Sequence, residues 1–345
     1  LTCEENFNNY FSSSDKNFKS TDKLHRYGIR TREIGLNWAK ADSRFDLSKE
    51  VNEPNKVGYV VEIDPLNPNS TPKKHTALGR FKHENAELVI SKDGKIVVYM
   101  GDDERGEYLY KYVSNESMNE VKDKSTLLSN GNLYVAKFND NFTGEWLLLD
   151  TQTTGLSSKA EVCIFTRLAA SKVGATTMDR PEWIASNPKK NEVCCCLTNN
   201  KNRGIKANKG DDKVEVDKVN PRKNNKYGQI VRWKPRDGNH SSIYFKWNLF
   251  VVAGNPKIHE DNNKGSSNIT NKNMFNSPDG LKFDKYGRLW IQTDGNYSNS
   301  GDFEGMGNNQ MLIADTNTGE IKRFMVGPKE CEVTGLTFTP DNKTA

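Results

Sequence analysis

Four strings in this sequence place an acidic or amide cluster directly after a run of strand-forming residues: LTCEEN (1–6), VVYMGDDE (97–104), CCCLTNN (194–200) and LWIQTDGN (289–296). Glu4, Asp102, Asn199 and Asp294 take equivalent places in them, separated by 98, 97 and 95 residues. A lone acid at a strand end is ordinarily a turn or capping residue. Four in register form an internal repeat and need a common explanation. A second set lies ahead of the partner strands. The strings ENAEL, DRPEW and EVTGL align Glu84, Asp179 and Glu332, and the remaining copy has Ser277 there with Asp279 two residues on.

Strand starts thus supply Glu84, Glu87, Asp179, Glu182, Asp279 and Glu332, while the loops supply Glu4, Glu5, Asp102, Asp103, Glu104, Asn199, Asn200 and Asp294. Carboxylates crowded into one space repel, and burial disfavours their charged forms unless a cation compensates. The ligand type restricts the cation. Only five histidines occur, of which His83 alone adjoins a repeat position, and the six cysteines show no CxxC spacing. Zinc and copper sites want more imidazole or thiolate. Carboxylates, amides and carbonyls suit Ca2+ first, and also Mg2+, Mn2+ or ferric iron. Arg180, within DRPEW, has two readings: a salt bridge to neighbouring acids, or a clamp for an anionic substrate. No Gly-rich phosphate loop, GxSxG elbow or HExxH helix is present, so serine nucleophilic catalysis has no support.

The elements that must position these residues are hairpins. AELVISKDGKIVVYM, EWIASNPKKNEVCCCL and GLKFDKYGRLWIQT each join two β-branched or aromatic runs through a Gly- or Asn-containing turn. A fourth copy begins as GLTFTPDNK at Gly335. Two more strand-like segments follow each cluster: VGYVVEIDP and HTALGRF, EYLYKYV and NLYVAKF, GQIVRWKP and IYFKWNLF, NQMLIAD and EIKRFMVG. The predicted fold is all-β, a β-propeller of four-stranded antiparallel blades, in which the first strand of every blade lines a central channel. A β-sandwich is the rival, but it does not explain the spaced repeat. The expected division is a partial blade over 1–83, blades over 84–150, 179–250 and 277–327, and the start of another over 332–345.

The 345 residues carry a net charge of +5, small against 50 basic and 45 acidic side chains, and much of the excess sits in the Lys/Asn-rich stretch 201–226. That pattern reads as solvated loops, with no nucleic-acid-specific binding expected. A mean hydropathy of −0.81 and the lack of a long apolar run exclude a membrane-spanning helix. LTCEEN reads as a strand end and TFTPDNKTA as a turn ahead of another strand, so the sequence reads as a fragment cut at both ends. Cys194 and Cys196 fall on one face of a strand and Cys195 on the other, as small buried residues without a disulfide framework.

Several long strings resemble the PhoX-type alkaline phosphatases: LTCEENFNNYF, NWAKADSRFDLSKEVNEPNKVGYVVEIDP, TALGRFKHENAEL, VVYMGDDERGEYLYKYV, TRLAASKVGATTMDRPEW, SPDGLKFDKYGRLWIQTDG, GNNQML and CEVTGLTFTPD. The likeness covers nearly the whole chain. It implies a six-bladed propeller, of which this chain is an incomplete ring, hydrolysing phosphate monoesters at a cluster of Fe3+ and Ca2+ ions. Carried over by motif, Glu5, Glu84 and Glu332 are iron or bridging ligands. Glu4, Asp102, Asp103, Asp179, Asn199 and Asp294 are further metal candidates, mainly on the calcium side. Glu84, Glu332 and Arg180 are the catalytic candidates. The resemblance also implies an iron-bound cysteine from a segment ahead of Leu1, which Cys3 is not. It implies twin-arginine export, a periplasmic or secreted location and small phosphate esters as partners of a monomer, with the fragment not expected to act alone. The alternatives are a calcium-dependent propeller lactonase or esterase, which would ignore phosphate esters, and a non-catalytic calcium-binding propeller.

Overall fold

A computed structural model describes residues 1–345 as sixteen strands in three antiparallel sheets. Strands β1 (Thr2–Cys3), β2 (Val60–Glu62) and β3 (Lys73–Lys74) form the first sheet. The second contains β4 (His83–Ile90), β5 (Lys95–Asp102), β6 (Leu109–Ser117), β7 (Gly131–Phe138), β8 (Thr143–Leu149), β9 (Pro181–Ser186), β10 (Val193–Leu197), β11 (Gln229–Pro235) and β12 (Tyr244–Val252). The third holds β13 (Pro278–Phe283), β14 (Arg288–Thr293), β15 (Gln310–Asp315) and β16 (Ile321–Val326). Short helices α1 (Asp22–Arg26) and α2 (Trp38–Ala41) lie between β1 and β2, and α3 (Thr151–Thr154), α4 (Lys159–Ile164) and α5 (Thr166–Lys172) between β8 and β9.

The nine-stranded sheet is two blades joined at their outer edges, where Thr143–Glu145 of β8 pairs with Tyr244–Lys246 of β12. Its end strands, β4 and β9, return to lie side by side, with β1 against β4 and β13 against β9. The first strands β4, β9 and β13 therefore lie next to one another, as a β-propeller requires. β8, from the string TGEWLLL, is a strand beyond the four-strand pattern. HTALGRF, expected as a strand, instead turns through one 3₁₀ stretch at Thr76–Leu78, and GLTFTPDNK forms no strand.

Both faces of each second strand are covered by other elements, which is why these strands read as continuous apolar runs. Val98 and Met100 of β5 pack with Phe81, Tyr110 and helix residues Ala169 and Ala170. Val97 and Tyr99, on the opposite face, join Ile184, Cys195 and Trp233. The triple cysteine behaves alike: Cys194 and Cys196 join the core shared with Leu281, Leu289 and Ile291, while Cys195 faces the other core. All six cysteines are free.

Polar bonds hold neighbouring first strands in place. The Asn85 amide donates to the Ile184 carbonyl (2.8 Å) and accepts from the Ile184 N–H (3.0 Å), acting as a surrogate peptide. Glu87 accepts from the Ser186 N–H at 2.8 Å, so this acid orders β9. Gly101 is required where β5 meets the start of β9, since a Cβ there would lie 2.6 Å from the carbonyl oxygens of Pro181 and Glu182.

Candidate metal centre

Each first strand opens with a β-bulge. His83 pairs with Asp102 and the next pair is Ala86 with Met100; Pro181 pairs with Leu197 and then Ile184 with Cys195; Pro278 pairs with Thr293 and then Leu281 with Ile291. Two residues oppose one in every case, and the first of the two is Glu84, Glu182 or Asp279. A bulge re-aims its side chain and is enriched beside functional sites. The structural equivalence is therefore Glu84–Glu182–Asp279, not the Glu84–Asp179–Ser277 alignment read from the sequence. On the second strands the same pairing matches Asp103, not Asp102, with Asp294. A one-residue slip turns a strand side chain to the opposite face.

The re-aimed acids meet in a cavity of about 530 Å³, whose lining includes Glu5, Glu84, Asp103, Glu182, Asp279, Asp294 and Glu332. Three overlapping triads bring candidate ligand oxygens within 4.8 Å of one another: Glu5–Glu84–Asp103, Glu84–Glu182–Asp279 and Asp279–Asp294–Glu332. Glu84 and Asp279 are each shared by two. With Glu104, eight carboxylates face only three cationic side chains, Lys82, Arg105 and Arg180.

The electrostatics record this excess. Burial, with the charges of Asp103, Glu5 and Asp279 adding to it, pushes the Glu84 carboxyl up to about 10. Asp279 rises to about 7 by burial and the nearby Glu332, Asp294 and Asp103. Burial also lifts Glu182 far above the ordinary carboxylate range, and Glu5, Asp294 and Glu332 move upward for the same first reason. A wholly protonated cluster and a cation-filled one are the two ways to relieve the repulsion. The all-oxygen donor set and its shared carboxylates fit several hard cations held close together.

Local structure explains how the remaining pieces arrive. Asn309 accepts from the Gly295 N–H (2.6 Å) and donates to the Cys331 carbonyl (3.0 Å), and Val333 N–H bonds Thr293 O (3.3 Å), which together seat Glu332. Arg180 and Ser277 occupy matching places before Pro181 and Pro278, both with left-handed φ, at 55° and 50°. That conformation is unfavourable for a side chain bearing a Cβ and more so before proline. Of the two, Arg180 lines the cavity, where it grips Asp103 through two bonds of 2.7 and 2.9 Å and approaches Glu182 at 3.3 Å. Of the two sequence readings of Arg180, the structure shows the salt bridge; its Nη1 makes only a 3.4 Å contact, to Asn199.

Of the ligand candidates named from sequence, the structure brings Glu5, Glu84, Asp103, Asp294 and Glu332 into the cavity lining and leaves Glu4, Asp102, Asp179 and Asn199 out of it. Asp102 is wholly buried against Arg167, with bonds of 2.7 and 2.6 Å. Asp179 is paired with Arg203 at 2.7 Å and accepts from Asn225 at 2.9 Å. Glu4 accepts from the N–H groups of Gly58 and Tyr59 and pairs with Lys74 at 2.7 Å. Asn199 bridges Arg180 and the Ser277 hydroxyl. Glu182 and Asp279, named as strand-start acids but not as ligands, stand in the middle triad; correct bulge register is the signal that singles them out.

Fold and site together define a β-propeller with a carboxylate-lined cavity, suited to hard cations, where its first strands converge. The chain belongs to the PhoX alkaline phosphatase family, whose model, described as alkaline phosphatase PhoX, matches residues 1–345. It is similar to the solved structure of Pseudomonas fluorescens PhoX in complex with vanadate, a transition state analogue, at 53% identity and a TM-score of 0.94. The match covers 99% of this chain and 61% of that one, so the chain spans less than two thirds of this relative. A gluconolactonase of Xanthomonas campestris matches at 10% identity and a TM-score of 0.31, over 83% of this chain and 60% of that one, too remote to bear on fold or function. No curated protein matches the chain. No helix is long and apolar enough to cross a membrane.

Proposed function

We propose that this chain carries the larger part of the active centre of a metal-dependent alkaline phosphatase, which hydrolyses phosphate monoesters and releases inorganic phosphate. The observation that carries the reading is the chain of three carboxylate triads sharing Glu84 and Asp279. Family membership and the vanadate complex of the Pseudomonas relative support it.

Glu5, Glu84, Asp103, Glu182, Asp279, Asp294 and Glu332 are the residues to hold Fe3+ and Ca2+. When bound, such cations act as Lewis acids that neutralise phosphate oxygens and offset charge developing during transfer. The protein's own groups do the rest. Asp103 holds the Arg180 guanidinium in one orientation, so that its open Nη1 side can donate to a non-bridging phosphate oxygen. Glu182 adds a second hold on Arg180, coupling the arginine to the middle triad. Asn199 and Ser277 brace the rim. Export by the twin-arginine route, a periplasmic or secreted location and a monomeric state complete the reading; cell fractionation and light scattering test them.

The direct test uses the full-length protein purified as expressed, with bound iron and calcium quantified and p-nitrophenyl phosphate as substrate. Both metals and turnover are expected, with both lost in Glu84→Ala and Glu332→Ala while the chain stays folded. Calcium alone with no ester cleaved would move the function to a calcium lactonase or a binding propeller.

A further inference from the structure

Beside the acidic cavity lies a second one of about 570 Å³ with the opposite charge balance. The two share four lining residues: Asn6, Lys82, Glu104 and Arg105. Five cationic side chains line the second cavity, Arg30, Lys82, Arg105, Lys206 and Lys209, against two acids, Glu104 and Asp211. Glu104 is already engaged, with Lys82 at 3.3 Å and Lys209 at 2.6 Å on one oxygen. Arg30, Arg105 and Lys206 make no ion pair. Arg105 stands on the shared wall, lining both cavities with no carboxylate paired to its guanidinium.

Resting on the phosphatase reading, we propose that this basic annex is a leaving-group subsite, selecting phosphate monoesters that carry a second phosphate on the alcohol portion. The transferred phosphoryl group sits in the acidic cavity, and the second phosphate reaches Arg105, Arg30 and Lys206 across the shared wall. The chemistry is ordinary hydrolysis: the ester P–O bond breaks, the oxygen of water joins phosphorus, and the leaving alkoxide takes a proton. The second phosphate remains on the product alcohol.

The test compares kcat/KM of the full-length protein for fructose 1,6-bisphosphate and fructose 6-phosphate, in the wild type and in Arg30→Gln/Lys206→Gln. The bisphosphate is expected to be preferred about tenfold at low salt, with the preference shrinking as salt screens the annex. The double variant should lower that preference by about twofold to threefold per charge removed, mainly through KM, and Arg30→Lys should retain it. Calorimetric binding of fructose 1,6-bisphosphate to both proteins runs alongside. Hydrolysis of both esters with equal kcat/KM, unmoved by the double variant, overturns the annex and leaves the phosphatase reading standing. If no ester is cleaved, that reading falls, and calorimetry decides the annex: weaker binding in the double variant supports an anion site, and unchanged or absent binding overturns it.

Discussion

Two groups of acids at the strand ends meet opposite fates. Asp102 and Asp179 are wholly enclosed, and each is matched by an enclosed arginine, Arg167 or Arg203. Glu182 and Asp279 are buried and Glu84 partly so, but they have mainly one another. An arginine-paired carboxylate is electrically finished and contributes to architecture. A carboxylate pressed against others waits for a cation supplied from outside. Strand-end position and residue type do not separate the two groups; an enclosed arginine of its own does, whereas Asp103 and Glu182 share Arg180, which lines the cavity.

The largest way to break this contrast is to remove one member of a finished pair. Arg167→Met should cost about 3–5 kcal/mol in denaturant unfolding, because the Asp102 charge stays buried without its partner, and Asp102→Asn somewhat less, because Glu107 still lies 3.7 Å from Arg167. Metal content per folded molecule should not change. Next, Glu84→Gln and Glu182→Gln should lower phosphatase turnover about 10²–10³-fold by removing stabilisation of developing charge, roughly 3–4 kcal/mol. The metal-free form of these two variants should unfold no more easily than the wild type near neutral pH, since a carboxyl held protonated there is replaced by a neutral amide of similar shape. Arg180→Lys gives up the bidentate grip on Asp103 and should reduce kcat/KM about tenfold, with the pH profile unchanged.

A gentler test uses pH. Glu84 is raised in the folded state from an ordinary carboxylate value to about 10, so the folded metal-free chain binds protons more tightly than the unfolded one. That stabilisation is complete below about pH 4.5 and is lost as pH rises towards 10. Metal-free stability should therefore decline gradually across that range, and added cations should reverse the decline while releasing protons. A metal-free stability that rises from pH 5 to 9 would show that the acidic cluster is not the dominant titrating unit.

The repeat, the hairpins and the convergence of strand ends were legible because period-two apolar runs and turn residues are local signals. Register was not. Each bulge adds one residue at the point where the acids lie, so spacing counted along the chain selects Asp102 and Asp179 where pairing selects Asp103 and Glu182. The arginine partners were equally hidden: Arg167 comes from α5, 65 residues from Asp102, and Arg203 from a loop 24 residues beyond Asp179. The helical insert did leave signals, with Asp150 capping Gln152 and Thr153 and Ser158 capping Glu161, but they were overshadowed by the strand repeat. The mixed charge of 201–226 concealed the basic annex, because Lys206 and Lys209 become a site only beside Arg30 and Arg105.

The account turns on which acids hold cations, and metal analysis of two variants of the full-length protein tests that most directly. Iron and calcium would be quantified per folded molecule in Glu182→Gln and Asp102→Asn. The prediction is that Glu182→Gln loses bound metal while Asp102→Asn keeps the wild-type content despite its lower stability. Full metal content in Glu182→Gln, with loss in a folded Asp102→Asn, would contradict it.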